Sequence, residues 1–86
     1  MNISRNEQRA LHVLALGGRI LHEREDGKKI TTVTCVTRDG LILADFDMKV
    51  FNRLRRWRLI ESRSGSPYRI SQRGRLAVRA QLDNQG

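Results

Sequence analysis

The sequence predicts one small α+β domain with the element order α-β-β-β-α-β-β-α. Three observations predict it. The chain opens on a capped segment with helical apolar spacing. A run of β-branched residues, Ile30 to Thr37, lies between two Gly-containing turns. A basic amphipathic stretch, Asp47 to Leu59, then leads into Leu59-Ile60, a Ser-Gly-Ser-Pro turn and Tyr68-Arg69-Ile70. Mixed helical and strand signals without regular βαβ alternation point to α+β.

The first helix is expected over residues 4–16. Ser4 is a favourable N-cap and Glu7, three positions on, completes a capping-box pattern. Ala10, Leu11, Leu14 and Ala15 form its apolar stripe, and Gly17-Gly18 ends it, because glycine readily takes the left-handed cap geometry. Residues 19–25 alternate as a strand does. Asp26-Gly27 is a hairpin turn, and Lys29 to Thr37 returns as the second strand. Thr31, Val33 and Cys35 share one face of that strand and Ile30, Thr32, Thr34 and Val36 the other; the pattern leaves open which is buried. Arg38-Asp39-Gly40 turns again, and Leu41 to Ala44 is expected as a third, buried strand of an antiparallel meander.

Asp45 or Asp47 caps the second helix, residues 47–57, whose Arg-rich last turn suits the negative end of the helix dipole. Two short strands follow around residues 64–67. Ser71 caps the last helix, 72–82, with Leu76, Ala77 and Ala80 expected inward and Gly74 a mild weakness. Residues 82–86 are expected to fray. No repeat or linker divides the 86 residues, so the whole chain is read as one domain.

A domain of this size buries roughly 60–65% of its unfolded surface, enough for one core and too little for a deep catalytic cleft. No apolar run approaches the roughly 18 residues of a membrane span. The first residues lack a signal-peptide pattern, and the single Cys35 forms no internal disulfide framework. A cytoplasmic location, without membrane association, is expected. His12, His22, Cys35 and Asp45 show no ligand spacing, so neither a metal nor another cofactor is expected. No nucleophile–base pattern or phosphate loop supports an enzyme.

The net charge of +8 is uneven: residues 44–86 carry 10 Lys+Arg against 4 Asp+Glu. That asymmetry suits a polyanion, either nucleic acid or an acidic partner surface. On the second helix Val50, Phe51 and Leu54 share one face, with the Arg58 stem along its edge. Lys49, Asn52, Arg53 and Arg56 share the opposite one. Such a helix suits a DNA groove, although a solvated surface helix has the same pattern. Arg63 and Arg69 on the hairpin are placed to meet phosphates, with Arg75 and Arg79 on the last helix as weaker candidates. Trp57 reads first as a lid on the core and second as a stacking group.

"LRRWRLIESRSGSPYRISQRGRLAV", residues 54–78, resembles the C-terminal part of winged-helix DNA-binding domains: a recognition helix, a two-stranded wing and a closing helix. The resemblance implies a further helix before the recognition helix, where the residues instead read as strand 41–44. More narrowly, "MNISRNEQRALHVLALGGRI" (1–20), "LRRWRLIESRSGSPYRIS" (54–71) and "LAVRAQLDN" (76–84) resemble the YjhX family of small bacterial proteins, end to end. That resemblance implies the proposed toxin of a toxin–antitoxin pair, an inhibitor of DNA topoisomerase, with a protein antitoxin as partner. It brings no catalytic residues. Two other readings fit the residues: a winged-helix transcriptional regulator, and a protein-interaction module docking on an acidic partner. The oligomeric state and any DNA sequence preference stay open.

Overall fold

The computed structural model describes residues 3–83, with side chains through residue 80. The elements follow as α1 (Arg5–Ala15), β1 (Arg19–Glu25), β2 (Lys29–Val36), α2 (Met48–Arg56), β3 (Ile60–Glu61), β4 (Arg69–Ile70) and α3 (Gln72–Asp83). The α+β class and the order of these elements match the expectation, except for one strand. Residues 82–83, expected to fray, belong to α3; the rest of that tail lies outside the described residues.

The helix ends form as their sequences dictate. The Glu7 N–H donates to Ser4 Oγ at 3.3 Å and the Val50 N–H to Asp47 Oδ1 at 3.0 Å, so Asp47 and not Asp45 caps α2. α1 ends in a Schellman motif: the Gly18 N–H donates to the Val13 carbonyl and the Gly17 N–H to that of Leu14, with Gly17 at φ 102°. α2 ends in the same way, with Leu59 bonded to Leu54 and Arg58 to Arg55. Here an arginine, Arg58, holds the left-handed position at φ 58°.

β1 and β2 pair antiparallel, and an irregularity at Glu23/Arg24 sets Thr32 opposite Glu23 but Ile30 opposite Arg24. The extra residue reverses the alternation. Ile30 and Cys35, assigned to opposite faces by strict alternation, are therefore both in the core, with Val33 packed against it.

The expected third strand, residues 41–44, is absent. It is reduced to one bridge, Ile42 to Val36, within an irregular segment. Thr37 turns the chain too tightly for a ladder: its N–H donates to the Leu41 carbonyl and its Oγ1 accepts from the Leu41 N–H. Leu41 and Ile42 are left 68% and 74% exposed, not buried. The helix that the winged-helix resemblance implies ahead of α2 is likewise missing, since residues 19–36 form a hairpin and 37–47 are irregular. Any helix-turn-helix is therefore incomplete.

β3 and β4 form a minimal hairpin, Ile60 opposite Ile70 and Glu61 opposite Arg69. Its turn has Ser64 at φ 53° and Gly65 at φ 78°, the handedness that suits the twist of a two-stranded ribbon. Tyr68 joins this hairpin to β1 through two backbone hydrogen bonds with Ile20, each 2.9 Å. Its ring lies edge-on to Phe51 and to His22, with centroids 5.0 and 5.2 Å away.

α3 is capped by Ser71, whose Oγ accepts from the Gly74 N–H at 3.0 Å and donates to the Arg58 carbonyl at 2.7 Å. Gly74 is not a weakness. A Cβ there would collide with the Leu59 carbonyl oxygen, so glycine is what allows α3 to seat on the hairpin. With Gly74 inward, the residues three and four further on, Ala77 and Val78, share its face and pack on the core. Leu76, expected inward, is 57% exposed, and Ala80 is exposed as well. The core joins Ala10, Leu11 and Leu14 of α1, Val50, Phe51 and Leu54 of α2, Ile20, Ile30 and Cys35, and the hairpin residues Leu59, Ile60 and Ile70.

Candidate nucleic-acid interface

α2 positions the candidate site. With Val50, Phe51 and Leu54 buried, Lys49, Asn52, Arg53 and Arg56 are all turned to the surface. The surrounding elements then divide this stripe. A helix turns about 100° per residue, so Arg53 lies on one flank, Asn52 and Arg56 on the other, and Lys49 between them.

The Arg53 flank meets α1. Arg53 Nε lies 2.6 Å from Glu7 Oε1, and the Ser4 hydroxyl donates to the same oxygen at 2.9 Å. Glu7 is 1% exposed. The capping-box residue is turned inward, where it accepts from Arg53 of α2 and from the hydroxyl of its own cap, Ser4. Arg53 is thus committed to a buried carboxylate, although its side chain remains 47% exposed. The other flank meets β2. Met48, Asn52, Arg55 and Arg56 with Lys29 and Ile30 line an open cleft of about 490 Å³. Arg55 also lies over the Phe51 ring, 5.1 Å from its centroid.

Arg63 and Arg69 are exposed on the hairpin that follows α2. Arg69 stands cross-strand to Glu61, the one acid in that part of the chain, which offsets some of its charge. Around Arg63 the hairpin tip is closed by bonds of its own: the Ser66 N–H donates to the Arg63 carbonyl, and the Arg63 N–H to Ser66 Oγ. Arg75 and Arg79 are exposed on α3. That helix packs chiefly on α1, and also on β4. Trp57, expected as a lid on the core, is instead 39% exposed at the C-cap of α2 and lies outside the core.

Lys29, Arg55 and the Glu7–Arg53 pair are not evident in the sequence pattern. Lys29 and Arg55 carry no motif, and a capping glutamate ordinarily faces solvent. No cluster of metal-binding side chains occurs among the described residues. Cys35 is buried, and burial pushes its thiol up to about 11. No helix among the described residues is long and apolar enough to cross a membrane.

A family model described as "Putative toxin of bacterial toxin-antitoxin pair" matches residues 1–85. The chain belongs to the YjhX toxin family. It is 81% identical to a UPF0386 protein of Cereibacter sphaeroides, across 100% of this chain and 99% of that one. It is 76% identical to one of Rhodospirillum rubrum, covering 100% and 96% of the two chains, and 52% identical to one of Rhizobium etli, covering 98% and 99%. No solved structure matches. Membership of the YjhX family implies an antitoxin as partner.

Proposed function

We propose that this chain is a cytoplasmic toxin that associates with DNA through α2 and the β3–β4 hairpin and acts on a DNA-bound topoisomerase. One observation carries the DNA part. Lys49, Arg56, Arg63 and Arg69 are all exposed, and none forms an ion pair within 4.0 Å among the described residues. Their charge, partly offset at Arg69 by the cross-strand Glu61, is therefore available to phosphates, and Asn52 can donate beside them. Arg53 contributes its outer surface only, and Arg75 and Arg79 on α3 are weaker candidates. The topoisomerase target rests on the family resemblance. The transcriptional-regulator reading has less support, because a complete helix-turn-helix is lacking.

Duplex binding by fluorescence anisotropy at two salt concentrations tests the interface. Any protein of this charge binds DNA at low salt, so the comparison between variants decides. Lys49→Ala/Arg56→Ala/Arg63→Ala is set against Arg5→Ala/Lys28→Ala/Arg38→Ala, which loses the same charge elsewhere. A weaker affinity and shallower salt slope in the first variant alone supports the interface; equal losses reject it. Relaxation of supercoiled plasmid by a purified bacterial topoisomerase, with and without the protein, tests the target. Unchanged relaxation rates would reject that part.

A further inference from the structure

The cleft between β2 and α2 is not explained by a DNA face. Lys29, Arg55 and Arg56 stand around it with no carboxylate in the lining, and none of the three forms an ion pair among the described residues. Beneath these cations lie two apolar side chains, the buried Ile30 and the half-buried Met48. From Lys29 to Thr34 the edge of β2 away from β1 has no strand partner among the described residues; the bridge to Ile42 begins only at Val36. The cleft is open along one side, and its volume of about 490 Å³ suits a segment lying along the surface.

We infer that this cleft takes an acidic, extended segment of a protein partner, laid along the open edge of β2. Three features converge on that occupant. Carboxylates match Lys29, Arg55 and Arg56, with Arg able to fork onto both oxygens. Apolar side chains alternating with those carboxylates cover the half-buried Met48 beside the edge of Ile30. The unpaired strand edge recognises peptide backbone, as in strand addition. A phosphodiester chain matches only the first of the three. The inference goes beyond the DNA reading and uses different residues, except that a filled cleft covers Asn52 and Arg56. A bound partner would therefore withdraw two groups from the DNA face.

The test uses the full chain and a fluorescein-labelled hexapeptide alternating Glu and Val, with an all-Glu hexapeptide and a duplex oligonucleotide alongside. The alternating peptide is expected to bind at least ten-fold tighter than the all-Glu peptide. Lys29→Glu/Arg55→Glu is expected to lose at least ten-fold of that binding, while Arg63→Ala keeps it. Hydrogen exchange on the wild-type protein provides a readout that needs no variant: peptide should slow exchange of amides within residues 29–34. Equal binding of the two peptides, or no slowing in β2, overturns the inference. So does a cleft variant that loses duplex affinity as strongly as peptide affinity, which would make the cleft a nucleic-acid site. Loss of duplex binding in Lys49→Ala/Arg63→Ala, which leaves every cleft residue in place, bears on the DNA reading alone.

Discussion

Arg53 of α2 holds the carboxylate of Glu7 of α1, Nε to Oε1, at 2.6 Å. One end of this pair is at the surface, and the other is buried beneath the first turn of α1. Glu7 Oε2 is buried as well and has no hydrogen-bond partner among the described residues. The carboxylate therefore depends on Arg53 and Ser4 for compensation.

Removing Arg53 should thus cost far more than removing a surface arginine. Arg53→Ala is expected to destabilise the fold by about 2–3 kcal/mol, below the usual cost of breaking a fully buried pair because Arg53 is partly solvated. Glu7→Gln should cost less, and adding it to Arg53→Ala should recover part of the loss. Urea unfolding of the three variants checks this; additive losses would mean that the two residues are not coupled.

Gly74→Ala sets two effects against each other. Helix propensity alone favours alanine by about 1 kcal/mol. Its methyl would, however, collide with the Leu59 carbonyl oxygen, and that atom is backbone. The contact should win, with a net loss of at least about 2 kcal/mol. Thermal unfolding of the variant shows the sign directly.

Arg58→Gly should stabilise. Arg58 occupies the left-handed cap position at φ 58°, which costs a side-chain-bearing residue about 1 kcal/mol and glycine almost nothing. The greater freedom of glycine in the unfolded chain offsets part of this, leaving a gain of roughly 0.5 kcal/mol. A higher urea midpoint with an unchanged slope is the expected result.

Cys35 makes stability depend on alkaline pH. Its folded thiol is raised from 9.0 to about 11 by burial. Between those values the unfolded chain binds fewer protons than the folded one, so stability falls as pH rises through 9. The thiol's share of that loss approaches about 2–3 kcal/mol near pH 11. Cys35→Val should lack this contribution, so its advantage over the wild type should grow with pH. In the native protein at neutral pH the thiol should react with a disulfide reagent only at the unfolding rate.

Trp57 is the sole tryptophan and is 39% exposed at the end of α2. Its emission should be quenched by iodide in the free protein. If α2 lies on DNA, a duplex should protect it. Trp57→Ala should cost less than about 2 kcal/mol in stability, well below the about 3–5 kcal/mol of a fully buried aromatic.

Local chemistry is legible in the chain itself. Ser4 and Ser71 announce two helix starts and Asp45 or Asp47 a third, Gly17-Gly18 a helix end, and Asp26-Gly27 and Ser64-Gly65 two turns. Each signal acts within a few residues of chain, where short-range hydrogen bonding and backbone preference decide. The cationic character of α2 and the hairpin is visible for the same reason: composition along a single helix needs no partner.

What lies beyond the sequence depends on contacts between distant segments. The irregularity in the first hairpin brings Ile30 and Cys35 to the same core, against strict alternation. Thr37 folds back on Leu41, so an apolar run that reads as a buried strand lies largely at the surface. Gly74 faces inward because the Leu59 carbonyl is there, and that rotates Leu76 out and Val78 in. Arg53 is bound because Glu7, 46 positions earlier in the numbering, is buried under the same helix pair. The sequence alone therefore determined the three helices, the two hairpins, the caps of the first and last helix and the distribution of charge. Only the tertiary structure decided which faces meet, because burial and ion pairing are properties of neighbours in space, and chain spacing does not encode them.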